Sequence, residues 1–411
     1  MREMKDSGIE WIGTIPFDWK CCKQKYEIQL INGRAYSDSE FEEDGKYRIL
    51  RVGNLFSNPT WYTSSLELPP DKYCENGDLL YSWSMSYAPV IWSGEKVIYH
   101  YHIWKTKLSS NLNKKFAYYY LSALTDALKA KIHETTMGFI TMGVMNNSYI
   151  AFPCLKEQEI IVSFLDSKCS EIDAISADIQ KEIEILEQYK RSVITEAVTK
   201  GLNPDAEMKD SGVPWIGKMP ANWACIKGKY ILKYMQKPVK PDDGVITCFR
   251  DGEVTLRSNR REDGFTMADK EIGYQGIDVG DLVVHGMDGF AGAIGISDSR
   301  GKASPVLNVL DSRQNKKYIM YYLRSMAYGD VFAALATGIR VRSCDLRWNK
   351  LSVLLYPVPP LEEQAEIVQY IEDTLNKVNG VIGEKKQQLT VIDSYKKSLI
   401  YEYVTGKKEV V

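Results

Sequence analysis

The chain reads as an α+β protein: two mixed α/β domains in a pseudo-twofold repeat, separated by two long antiparallel coiled-coil helices. Three observations predict this. Residues 4–26, MKDSGIEWIGTIPFDWKCCKQKY, and 208–230, MKDSGVPWIGKMPANWACIKGKY, agree at 14 of 23 positions without a gap. Each half closes on a second repeat, YKRSVITEAVT at 189–199 and YKKSLIYEYVT at 395–405. Ahead of each closing repeat lies a long polar segment with one narrow apolar stripe. Self-similarity at a fixed period is the signature of a duplicated architecture.

The shared segments recur in order. Pro153, Leu155, Glu157, Gln158, Ile161 and Val162 match Pro359, Leu361, Glu363, Gln364, Ile367 and Val368. NKKFAYYYL at 113–121 echoes NKKYIMYYL at 315–323, and Gly77-Asp78-Leu79 echoes Gly280-Asp281-Leu282. Residues 27–76 and 231–279 share little that aligns. The halves thus keep one frame and vary one interior. Short β-type runs such as Lys96–Trp104 and Gly280–Val284 fill the interiors, broken by Gly, Asn and Pro. Segments 114–130 and 316–328 read as helices.

After Pro153 no Gly or Pro occurs until Gly201. Ile161, Phe164, Leu165, Ile172, Ile175, Ile179, Leu186 and Val193 recur at threes and fours, with 172, 179, 186 and 193 one heptad apart. Ile371, Leu375, Val378, Ile382, Leu389, Ile392 and Leu399 repeat the pattern. Such a stripe is a coiled-coil seam. Gly380 and Gly383 weaken the second helix by about 1 kcal/mol each, and tertiary packing is expected to carry it. Pairing within one chain is the simplest closure, with pairing between chains the alternative. The expected boundaries are 1–152 and 205–358 for the two domains and 153–204 and 359–411 for the helical spacers.

Bulk composition sets limits. The 411 residues are 44% apolar and 26% charged, ordinary for a soluble globular protein. No apolar run is long enough for a membrane helix, and the polar N-terminus holds no signal-peptide core, so a cytoplasmic location is expected. The eight cysteines form no C-x-x-C pair and read as free thiols. The net charge of −2 is uneven. Residues 159–200 hold nine acids against five bases, and 361–405 hold eight against five, which leaves the remainder mildly basic.

Enzyme motifs fail on inspection. Gly212 to Met219 nearly spells a phosphate loop, but Met219 stands where a hydroxyl should hold magnesium. Asp205, Glu207 and Lys209 are too compressed for a nuclease cluster. His100 and His102 would share a strand face with no third ligand nearby, and read as hydrogen-bonded strand histidines. Gly289, Gly292 and Gly295 read as a hairpin with close backbone contacts. No N/D-P-P-Y/F motif of adenine methyltransferases occurs. No metal or cofactor site is expected in this chain.

W-I-G-x-x-P-x-x-W at 11–19 and 215–223, P-x-L-x-E-Q at 153–158 and P-P-L-E-E-Q at 359–364, and the heptad helices ending in Y-K-R/K-S-V/L-I resemble the type I restriction–modification specificity subunits. The resemblance covers both halves in order. It implies that each mixed domain is a target-recognition domain reading one half of a split site in double-stranded DNA. It implies two modification (methyltransferase) subunits as partners, and restriction subunits that join for ATP-dependent cleavage. S-adenosylmethionine, ATP and Mg would belong to those partners, which leaves this chain without catalysis or cofactor. The seam from Ile371 to Leu399 spans about 42 Å, against about 34–36 Å for one turn of B-DNA, so it can act as a ruler.

Base readout requires Arg, Lys, Asn, Gln, Ser or Thr at base edges. In the first domain the candidates are Arg48, Arg51 and Asn54 on a strand-like run, then Ser82, Ser84, Ser86 and Tyr87 after Gly-Asp-Leu, and Thr135, Thr136 and Thr141 before the long helix. In the second they are Arg250, Arg257, Asn259, Arg260 and Arg261, then His285, and Arg340 and Arg342 before the helix. The second domain is locally more basic and is expected to make the stronger phosphate contact. Two other readings compete: a coiled-coil scaffold that reads no DNA, and a self-sufficient nuclease, which the missing motifs disfavour.

Overall fold

A computed structural model describes residues 2–84, 86–134, 140–260, 272–335 and 346–410. The chain divides into two compact units, Met1–Ile179 with Gln387–Val411, and Gln180–Lys386.

In the first unit a four-stranded antiparallel sheet runs in the order Ile28–Asn32, Ile103–Leu108, Leu79–Ser82, Ala88–Ile91. Helix α1 (Lys114–Glu134) follows it in sequence. Phe116, Tyr120 and Leu124 of α1 share one core with Ile28, Leu30, Tyr81 and Trp104 of the sheet. Strand alternation and the 3.6-residue helical repeat bring these apolar faces together. Asn113 starts α1 by accepting from the backbone N–H of Lys115 at 2.9 Å and Phe116 at 3.3 Å, an N-cap. A second sheet runs Tyr62–Ser64, Tyr47–Leu50, Val97–Tyr99, Tyr73–Cys74, with Val97–Tyr99 parallel to Tyr47–Leu50. Helix α2 (Leu155–Lys200) enters this unit at its N-terminal end.

The second unit repeats the first sheet in the same order: Leu232–Met235, Leu307–Ser312, Leu282–His285, Ile294–Ile296. Helix α3 (Lys316–Tyr328) packs on it, capped by Asn315 through the N–H of Lys317 and Tyr318. The second sheet is looser here. Ile246–Cys248 pairs with Val254–Leu256, and Gln275–Ile277 pairs with Gly301–Ala303. Among the described residues only isolated parallel bridges, Val245 to Lys302 and Val254 to Ser297, tie these pairs in, where the first unit has a parallel strand pair.

Helix α4 (Leu361–Val404) and α2 run antiparallel within each unit. In the first, Phe164 meets Tyr403 at 4.4 Å and Asp173 pairs with Lys396 at 2.6 Å. In the second, Glu182 pairs with Lys385. Ile161, Leu165, Ile172, Val193, Ile371, Val378, Ile382 and Leu399 are buried as the stripe predicts, whereas Ile175 is exposed. Gly380 and Gly383 lie inside α4 and face open space. Among the described residues no helix is long and apolar enough to cross a membrane, and the seven cysteines there are free.

Each repeated segment has a physical reason. Trp19 and Trp223 are buried, and their Nε1 groups donate to Glu157 at 3.1 Å and Glu363 at 2.9 Å. Buried Gln158 accepts from Asn113 N–H at 2.8 Å and donates to the carbonyls of Asn111 and Pro153. Gln364 likewise accepts from Asn315 N–H at 2.9 Å and donates to Gln314 Oε1 and the Pro359 carbonyl. Unpaired, these buried groups would each cost about 1–3 kcal/mol. After α2, Gly201 has φ +73° and stacks against Trp223 and Pro220. After α4, Gly406 has φ +70° and lies against Pro16 and Trp19. The tryptophan segments therefore seat the ends of the long helices.

Two local readings change. The run from Tyr47 is a strand only to Leu50, and Val52–Phe56 is helical, so Asn54 sits on a helix. His100 and His102 do not share a strand face, because the chain turns between Val97–Tyr99 and Ile103–Leu108. The Gly289 segment is the hairpin connection expected, with a short 3-10 turn between the antiparallel strands Leu282–His285 and Ile294–Ile296. Close backbone approach does hold there, since a Cβ on Gly295 would fall 1.9 Å from the Gly252 carbonyl.

Candidate nucleic-acid interface

The Gly-Asp-Leu echo builds one turn in both units. Gly77 and Gly280 adopt φ of +88° and +84°, which only glycine enters without strain. Asp78 accepts from Glu75 N–H and pairs with Lys105 at 2.6 Å. Asp281 accepts from Asp278 N–H and pairs with Lys237 at 2.6 Å. Each turn launches a central strand whose far end leads to candidate residues, Ser82, Ser84, Ser86 and Tyr87 in one unit and His285 and Asp288 in the other.

In the first unit these residues join the end of strand Tyr47–Leu50 through the turn His100–His102. The Trp83 ring lies 5.2 Å from His102 and 6.0 Å from Tyr101, and its Nε1 donates to the Tyr101 carbonyl at 2.8 Å. Burial together with the charges of His102 and Arg51 pushes His100 down to about 4. His102 is lowered by burial and Arg51. Both rings are neutral at pH 7 and offer one donor and one acceptor each. Arg51 lies over Tyr62 at 5.1 Å, and Arg48 lies over Trp61 at 5.5 Å and pairs with Glu95 at 3.2 Å. Tyr101 is exposed. The surface therefore combines cations with aromatic rings, a composition suited to base edges and stacking.

Other first-unit candidates hold the backbone. Asn54 accepts from Arg51 N–H and donates to the carbonyls of Asn58 and Thr60. Ser82 is buried, Ser84 is half-buried and accepts from Ser86 N–H, Ser86 is exposed, and Tyr87 packs on the core. Thr141 caps the helix Met142–Asn147 through Val144 N–H at 3.3 Å. Thr135 and Thr136 lie outside the described residues.

In the second unit the same two elements meet. Arg250 pairs with Asp288 at 3.0 Å, and His285 Nδ1 accepts from Asp288 N–H at 2.9 Å. Burial lowers His285, opposed by Asp288. Arg260 lies over Phe249 at 4.2 Å and pairs with Asp251 and Glu253. Arg257 donates to Thr247 Oγ1 at 3.3 Å, and Asn259 donates to Thr255 Oγ1 at 2.9 Å. Arg261, Arg340 and Arg342 lie outside the described residues. Among the described residues no group of three metal-type ligands gathers.

Sequence reasoning missed Trp83, Tyr101 and, in the second unit, Arg191 and Arg324. Trp83 and Tyr101 flank segments already singled out, so the aromatic count there was a usable signal. Arg191 and Arg324 sit on two helices far apart in sequence, and no local pattern joins them.

Residues 16–185 match the family model described as "Type I restriction modification DNA specificity domain". The chain is 22% identical to the type I restriction enzyme EcoBI specificity subunit of Escherichia coli, over 99% of this chain and 90% of that one. It is 24% identical to the MjaVIII specificity subunit of Methanocaldococcus jannaschii, over 96% and 94%. A solved chain described under "Structural basis underlying complex assembly and conformational transition of the type I R-M system" matches with a TM-score of 0.66 at 12% identity, covering 96% of this chain and 99% of that chain. At that identity the likeness is one of fold.

Proposed function

We propose that the chain is a member of the type I restriction–modification specificity-subunit family and the DNA-reading subunit of such a complex. Each unit reads one half of a bipartite site, and the paired helices set the spacer between the halves. The chain itself is the non-catalytic recognition subunit. Adenine methylation and cleavage fall to modification and restriction subunits that carry S-adenosylmethionine, ATP and Mg.

One observation carries this reading: both units repeat the frame and the order of the first sheet while their candidate surfaces differ in chemistry. A duplicated scaffold with unlike faces suits a site of two unlike halves. The frame also keeps apolar residues exposed in pairs. Tyr189 and Tyr395 are 49% and 59% exposed, Leu155 and Leu361 44% and 58%, Met4 and Met208 39% and 36%. Apolar side chains retained at the surface in both copies suit a partner that docks twice, as two modification subunits would.

The test is base-resolution methylation sequencing of host DNA with and without this gene, with the methyltransferase gene intact. The expected result is a split adenine-methylated motif that disappears with the gene. An unchanged methylome beside an active methyltransferase would remove the chain from target choice.

A further inference from the structure

The second unit contains a cleft of about 710 Å³ where α2, α3 and the loop after strand Ile246–Cys248 meet. Lys190, Arg191, Arg250 and Arg324 line it, with Tyr328 and Phe290. Two of these cations are already paired, Lys190 with Glu187 at 2.9 Å and Arg250 with Asp288 at 3.0 Å. Arg191 and Arg324 make no ion pair with a carboxylate among the described residues, although Asp251 and Asp330 also line the cleft. Asp251 is taken by Arg260.

The two guanidiniums are held in place by neutral groups. Both lie over Tyr328, Arg191 at 5.5 Å and Arg324 at 5.7 Å from the ring centroid. Arg324 Nε donates to Tyr328 Oη at 2.8 Å, and its Nη2 donates to the Asp251 carbonyl at 2.8 Å. It rests over Gly252, which has φ +92° and where a Cβ would fall 2.1 Å from Nη1. Positioned guanidiniums that keep free N–H groups and make no direct ion pair are what a phosphate needs, and Arg324 also feels the charge of Asp251, which Arg260 already pairs.

The first unit is an internal control. By the aligned repeats, Arg191 corresponds to Lys397, Arg324 to Ser122, Tyr328 to Asp126 and Glu187 to Asp393. There Lys397 pairs with Asp393 at 2.7 Å, the adjacent Lys396 pairs with Asp173 at 2.6 Å, and half-buried Asp126 feels the charge of Lys397. That unit neutralises its cations at the equivalent place and offers no arginine on the equivalent helix position. The cationic cleft thus belongs to one copy of the duplication and is no part of the shared frame.

We infer that the cleft binds the phosphodiester backbone of DNA, with Arg191 and Arg324 as its phosphate contacts. The inference rests on the DNA-reading role proposed above. It assigns to α2, a helix of the frame, a part in holding the duplex that does not depend on base sequence.

The experiment uses the complex assembled with its modification subunits and a duplex carrying the methylated motif. Binding is followed by fluorescence anisotropy as salt is raised, for wild type, R191A, R324Q, the double variant and K397A. Each arginine lost should lower the slope of log affinity against log salt by about one. Affinity for motif and scrambled duplexes should fall by the same factor, and K397A should keep the wild-type slope. Arg191 is exposed on a helix, so R191A reads the site even where R324Q disturbs the Asp251 loop. A double variant with the wild-type slope, in a complex that still prefers its motif, overturns the assignment. A wild-type complex with no motif preference overturns the DNA-reading role itself. Binding of inorganic pyrophosphate that R191A abolishes, with the DNA slope intact, overturns the backbone assignment in favour of a free phosphate ligand.

Discussion

Where the first unit joins Tyr47–Leu50 to Val97–Tyr99 in a continuous second sheet, the described residues of the second unit form two separate strand pairs and isolated bridges. Their surfaces diverge likewise. The first presents Trp83, Tyr101 and two neutral histidines beside Arg51. The second presents arginines balanced by Asp251, Glu253 and Asp288. Under both lies the same antiparallel sheet, the same Asn-capped helix and the same Trp–Glu and Gln contacts. Duplication has kept the buried frame contacts that are costly to lose and varied the second sheet and the candidate surfaces.

The comparison is broken most directly at the tryptophans. Trp19→Ala and Trp223→Ala should each cost about 4 kcal/mol, through the cavity and the partner carboxylate left behind. Urea unfolding should show matched losses in the two variants. A tolerated change in one unit would mean that only the other depends on the frame.

The glycines that follow the long helices give a smaller and unequal effect. Gly201→Ala should cost about 1 kcal/mol for its positive φ. Gly406→Ala should cost more, because its Cβ would sit 2.3 Å from Pro16 Cδ, against 3.2 Å to Trp223 at Gly201. Thermal melts that rank the two the other way would show that Pro16 gives way freely.

Acid gives the smallest separation. His100 is held near 4, and an unfolded histidine titrates near 6.5. As pH falls through 6.5, the unfolded chain takes up a proton that the folded ring refuses, so stability declines between about 6.5 and 4. His102 adds to this in the first unit, while His285 acts alone in the second among the described histidines with lowered values. H100Q/H102Q should flatten the acid limb of the melting profile more than H285Q. Equal flattening would erase the distinction.

The sequence by itself determined the duplication, the two long helices and the resemblance to the type I specificity subunits. Heptad spacing and repeated Trp, Gln and Gly residues act locally, and their physics is readable in order along the chain. The long helices, Leu155–Lys200 and Leu361–Val404, enclose the apolar stripes Ile161 to Val193 and Ile371 to Leu399. The tertiary structure alone decided that divergent interiors share a strand order, because their strands span two to six residues and pair across long separations that no local pattern records. It alone brought Arg191 to Arg324 over Tyr328, and it alone placed Asn54 on a helix, where its side chain bonds the backbone of Arg51, Asn58 and Thr60. Such sites are assembled from side chains that meet only after the chain has folded, so their chemistry belongs to the arrangement.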